Sequence, residues 1–156
     1  MSSIDSLRAR RREDYYFILE YRTRWSDNDQ YAHMNNSVYN FLYDSVVNTY
    51  LIQHCGLRPQ DGGQYGLVVR SHNDYFSSIA FPAVAELALR VNKLGKSSVT
   101  YEVALFEQGS DGVKSVGEFV HVFVDRATGR PNANGMDSTM KRGLERILVG
   151  GQQAKL

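Results

Sequence analysis

The chain has 156 residues, 42% of them hydrophobic and 12% aromatic, with 18 basic and 17 acidic side chains for a net charge of +1. That length suits one domain with its own core, and the balanced charge excludes a bulk field that would gather nucleic acid or an anionic membrane. The single cysteine, Cys55, excludes an internal disulfide and a multi-thiolate metal site, and no run reaches the ~18 apolar residues of a membrane span.

Residues 1–14 are polar, with Arg8-Ala9-Arg10-Arg11-Arg12 set among Asp5, Glu13 and Asp14. This composition predicts a flexible, solvated arm rather than a transit peptide. One domain is expected over 15–149, and 150–156 reads as a flexible tail. From Phe17 to Trp25 the pattern alternates, Phe17, Leu19, Tyr21 and Thr23 opposing Glu20, Arg22 and Arg24, which predicts a half-buried strand. A polar loop over Asp27–Asn36 follows.

From Ser37 to about Cys55, apolar residues from Val38 to Ile52 cover almost the whole circumference of a helix, so it must be buried on several sides. Ser37, Asn40, Asp44 and Asn48 form its one polar stripe, and Gly56 suits the position just past its end. Four strand patterns come next, at Gly66–Phe76, Val84–Leu94, Ser97–Glu107 and Val113–Asp125. Short turns at Gly95-Lys96 and Gly109-Ser110-Asp111-Gly112 make the pairing antiparallel. Met140, Leu144, Ile147 and Leu148 predict a final short helix capped by Asp137 or Ser138. One strand, one long helix and a four-strand meander make an α+β fold, a sheet wrapped around a helix. One such sheet leaves the helix incompletely covered, which favours a symmetric dimer.

The chemistry concentrates in Trp25-Ser26-Asp27-Asn28-Asp29-Gln30-Tyr31-Ala32-His33-Met34-Asn35-Asn36. A carboxylate in a loop that runs into a helix N-terminus lies beside unpaired backbone N–H groups and the positive end of the helix dipole. Such a place suits a reaction in which a carbonyl oxygen turns negative while a carboxylate acts on the other face of the carbon. Asn35 and Asn36 also read as ordinary helix caps. The four histidines, His33, His54, His72 and His121, are far apart and match no metal-binding spacing, so no metal is expected.

This string resembles the signature of the hotdog-fold acyl-CoA thioesterases of the 4-hydroxybenzoyl-CoA thioesterase-like group, whose members often carry R-W-x-D-x-D-x-x-G-H-V-N-N-x-x-Y. Arg24, Trp25, Asp27, Asp29, His33, Asn35, Asn36 and Tyr39 stand at those places, with Ala32 where the family often has Gly and Met34 where Val is common. The resemblance implies a hotdog fold, an acyl-CoA substrate and hydrolysis to CoA and a carboxylic acid. CoA being part of the substrate, no cofactor is implied. It makes Asp29 the catalytic carboxylate, acting as general base or as nucleophile through an acyl anhydride. His33 would orient substrate or water or assist proton transfer, Asn36 and Asn35 would position water or substrate, and backbone N–H groups around Asn35 to Ser37 would polarise the carbonyl. Asp27 reads as loop-ordering.

At the turn Gly95-Lys96-Ser97-Ser98, Lys96 and Ser97 would meet the CoA phosphates, or the turn is only a polar hairpin. Arg126 and Arg130 would add to such a phosphate patch. In the family the sites lie at a dimer interface, so a homodimer or homotetramer is implied. An enoyl-CoA hydratase on the same fold typically has one more residue and an Asn-Pro between its Asp and His, and Asp29-Gln30-Tyr31-Ala32-His33 has neither. A non-catalytic acyl-binding module is the third reading, and the retained Asp29 counts against it. Finally, Ala154-Lys155-Leu156 resembles the Ser-Lys-Leu peroxisomal address. It implies a peroxisomal import receptor as partner in a eukaryote, and the cytoplasm otherwise.

Overall fold

The computed structural model describes residues 3–151, where the chain runs α1 (Ile4–Arg8), β1 (Phe17–Arg22), α2 (Asn36–His54), β2 (Gln64–Tyr75), β3 (Val84–Leu94), β4 (Ser98–Glu107), β5 (Val113–Asp125) and α3 (Ser138–Glu145). The tripeptide Ala154-Lys155-Leu156 lies outside the described residues. All strand pairs are antiparallel, in the order β1-β3-β4-β5-β2, so β1 and β2 are the two edges.

α2 holds no Gly or Pro, and its apolar residues recur every three to four positions, which gives it a face to bury. Leu42, Tyr43, Val46, Val47, Tyr50 and Leu51 pack with Val99, Tyr101, Val103 and Leu105 of β4 and Phe119 and Phe123 of β5. Cys55 ends the helix and is buried there, and Gly56 follows at φ +70°, the left-handed conformation that glycine takes without a steric penalty. The close approach of α2 to the sheet also needs Gly117: a Cβ there would lie 2.5 Å from Tyr43 Cε2.

The incomplete cover expected for the helix is visible within one chain, where Phe41 is 73% exposed and Ile52 lies open as well. They flank the polar stripe on a side the chain's own sheet does not reach. The N-terminal arm was expected to be solvated, yet it is seated on the outer face of the sheet. Arg10 makes a forked contact with Glu102, Nε to Oε2 at 2.8 Å and Nη2 to Oε1 at 3.1 Å. Tyr15 donates its hydroxyl to Glu102 at 2.7 Å, and Arg12 reaches Glu86 at 2.7 Å. Tyr15 joins Ala88, Ala104, Phe106, Val113 and Val116 in a second, smaller core beneath the arm.

Candidate active site

The loop expected to carry the chemistry is pinned from both sides. At its entrance Thr23 donates N–H to Ala83 O at 3.2 Å, and Asp27, almost fully buried, takes bonds from Arg24 N at 2.8 Å and the Tyr21 hydroxyl at 3.0 Å. Asp27 therefore orders the loop, as read from the sequence. At its exit Met34 N–H bonds Ile79 O and Asn35 N–H bonds Asp27 O, both at 2.8 Å. Between them the chain doubles back, with Asp29 N–H on His33 O at 2.8 Å and Ala32 at φ +64°.

Within this turn Asp29 Oδ1 accepts the Tyr31 N–H at 2.8 Å and a long bond from His33 N–H at 3.5 Å. Its other oxygen has no partner among the described residues. A carboxylate fixed by one oxygen with the other open is aimed and still available. Asn35 is the N-cap of α2, its Oδ1 accepting Ser37 N–H at 3.0 Å and the Ser37 hydroxyl at 2.7 Å. Val38 N–H bonds Asn35 O at 2.9 Å. Within the Asn35 to Ser37 span only the Asn36 amide lacks an acceptor among the described residues, so the open electropositive point is narrower than that span.

Asp29, His33, Asn35 and Asn36 together line an open cleft of about 560 Å³. Its other walls are Tyr39 on α2, Tyr75 at the end of β2, and Phe76, Ser77 and Ser78 beyond it. The Tyr39 ring stands edge-on to Tyr75 with centroids 5.0 Å apart. Burial, with Tyr75 nearby, pushes the Tyr39 hydroxyl up to about 12, so it is a neutral group at working pH. Tyr75, Phe76, Ser77 and Ser78 were not anticipated as site residues. Strand alternation tells which face a residue takes, but not which loop the end of the strand meets.

Three of the expected site residues lie elsewhere. Ser37 turns its hydroxyl to Asn35 and lines a neighbouring cleft between α2 and β2 with Asn40, Phe41, Asp44, Val68 and Ser71. Lys96 and Ser97 sit at the β3–β4 turn, where Lys96 O accepts Met136 N–H at 2.9 Å and Ser97 O accepts Phe123 N–H at 2.7 Å. That turn is level with Gln64 at the start of β2, whereas the Asp29 cleft is level with Tyr75 at its end. At ~3.3 Å per residue the two levels are on the order of 30 Å apart within one chain. Arg126, expected near the phosphates, donates to Gly62 O and Pro59 O, each at 2.7 Å, and stacks over Tyr65.

Residues 23–142 match the model of a family described as the Thioesterase-like superfamily. Among solved structures, the PA5185 protein of Pseudomonas aeruginosa is 44% identical, with 91% of this chain and 98% of that one covered and a TM-score of 0.86. A Staphylococcus aureus protein solved in complex with CoA is 15% identical over 90% of this chain and 88% of its own, at a TM-score of 0.78. A 1,4-dihydroxy-2-naphthoyl-CoA thioesterase from Synechocystis is 11% identical over 82% and 94%, at 0.74. The last two likenesses are of fold, and with the first they identify the sheet curved around α2 as the hotdog arrangement. No curated protein matches the chain.

Proposed function

The chain belongs to the Thioesterase-like superfamily, and on that premise we propose that it hydrolyses an acyl-CoA thioester to CoA and a carboxylic acid at the Asp29 cleft. The observation that carries this reading is the pairing, in one cleft, of a carboxylate with a free oxygen and a helix-start amide with no acceptor. A thioester carbonyl held by the Asn36 N–H gains stabilisation as its oxygen becomes an anion. Asp29 either takes a proton from the attacking water or attacks the carbonyl itself, giving a mixed anhydride that water then cleaves. In both routes the CoA sulfur leaves as a thiolate and is protonated to the thiol. His33 stands at the exposed rim, where it can orient the incoming water. The reading calls for no cofactor, CoA being part of the substrate.

Asp29→Asn keeps the Tyr31 N–H bond but removes the base. Thiol release from a panel of short, long and aryl acyl-CoA esters should fall by roughly 10²–10⁴-fold with unchanged thermal stability. Wild-type rates in this variant would end the proposal.

The reading also includes a homodimer joined through β2. This edge strand exposes Leu67, Val68 and, at 59%, Val69, beside the open side of α2 with Phe41. An unpaired apolar edge invites strand pairing with a second copy. Pairing across a twofold axis would set the Gln64 end of one β2 against the Tyr75 end of its partner, bringing the partner's Lys96 and Ser97 toward the Asp29 cleft to meet the CoA phosphates. Val69→Lys should shift the protein to monomers in light scattering; an unchanged mass would remove β2 as the seam. The bacterial source of the 44% identical relative favours the cytoplasm over the peroxisome.

A further inference from the structure

Resting on the cleft being the thioester site, we infer that the N-terminal segment is a positioning element for that site, acting through Leu7 and Arg8 on Phe76. The Arg8 guanidinium lies over the Phe76 ring, 5.5 Å from its centroid. Leu7 and Phe76 both pack on the same small outer core. Phe76 in turn lines the Asp29 cleft. Phe76 is thus the residue at which the arm meets the cleft.

The arm is held firmly enough to serve as a brace. Glu102, nearly fully buried, takes Arg10, Tyr15, Arg90 and Asn92 at 2.7–3.2 Å, tying the arm to β3 and β4. Arg12 adds Glu86 at 2.7 Å, the Glu107 carbonyl at 3.0 Å and the face of Phe106. Phe76 itself has a lighter tether. Its N–H and that of Ser77 share one acceptor, Lys114 O, at 2.8 and 3.2 Å. Beyond it, Ser77 and Ser78 are exposed. A wall residue at a strand end, lightly tethered on the cleft side, takes its position from what packs behind it.

Phe76 joins Met34, Tyr39 and Tyr75 as the apolar part of the cleft. The rings of this wall suit the acyl group. The arm therefore sets which acyl groups fit, by holding Phe76 in place. The arm precedes residues 23–142 matched to the family.

The test is a double variant of the full chain, Leu7→Ala with Arg8→Ala, assayed on butanoyl-, octanoyl- and benzoyl-CoA. The ratios of kcat/KM among the three esters should change by at least about fivefold, and amide exchange at Phe76 and Ser77 should quicken. Phe76→Leu, which alters the wall with the arm intact, should move the same ratios. Unchanged ratios in either variant overturn the inference, whatever happens to exchange. That failure differs from failure of the site itself: if Asp29→Asn abolishes turnover and the ratios stay fixed, only the role of the arm is lost. If Asp29→Asn turns over normally, the site is wrong.

Discussion

At Ala32 the chain takes φ +64°, a conformation in which any side chain with a Cβ is crowded against its own backbone. The residue completes the turn that folds Asp29 over the Tyr31 N–H, so the strain is local to the carboxylate. Ala32→Gly removes the clash but adds freedom to the unfolded chain, and the net should be a stabilisation of about 0.5–1 kcal/mol. A urea midpoint that rises in the variant bears this out, and one that falls shows that the turn is not strained. The sequence alone exposed this position, because the resemblance put Gly there. Asp29, His33, Asn35 and Asn36 were legible for the same reason: they are close in sequence, and a contiguous motif stays contiguous in space. Phe76, Ser77 and Ser78 come to the cleft from some forty residues away, so no local pattern announced them.

Elements followed their periodicity closely. The helix expected from Ser37 runs Asn36–His54, and the four later strands fall within two residues of expectation at each end, helped by clean alternation in β4 and β5 and by glycines in the turns on either side of β4. The arm was missed because arginines among acids read as solvated. A signal was present in β4, where Ala104 and Phe106 alternate away from the helix-facing residues and so need cover on the outer face. Glu102 is the anchor of that cover, and it makes the seat of the arm sensitive to acid. Burial alone would raise its carboxyl, but the hydrogen bonds from Arg10 and Tyr15 and the charge of Arg90 more than offset this and hold it below the ordinary 4.5. A carboxyl whose value is lower in the folded state lends stability above the unfolded value and loses it as pH falls through the folded one. Glu102→Gln should cost about 3 kcal/mol at neutral pH, since it leaves buried cationic partners facing a neutral group. Urea midpoints of the two proteins should then converge below about pH 4.5. A gap that stays constant down to about pH 3 would mean that the Glu102 charge contributes nothing.

The whole molecule poses a question that neither the motif nor one chain answers, which is how Lys96 can serve Asp29 from the far end of the sheet. β4 lies two strand spacings from β2, about 10 Å, so a twofold axis perpendicular to β2 at its middle would leave the partner's Lys96 close enough for an extended CoA ester to touch both. Sequence reading put the two residues in one site through resemblance; within one chain the fold keeps them at opposite ends of the sheet. Mixed dimers separate the possibilities. When Asp29→Asn chains are refolded with Lys96→Ala chains, each heterodimer holds one cleft that has lost both groups and, if the site crosses the seam, one with both intact. The mixture should then recover turnover at the wild-type KM, although the Asp29→Asn homodimer is inactive and the Lys96→Ala homodimer has a raised KM. If Lys96 instead serves its own chain, every active cleft in the mixture lacks it, and the raised KM persists. A Lys96→Ala homodimer with wild-type KM would take Lys96 out of the site in either arrangement, leaving the phosphates to other groups at the seam.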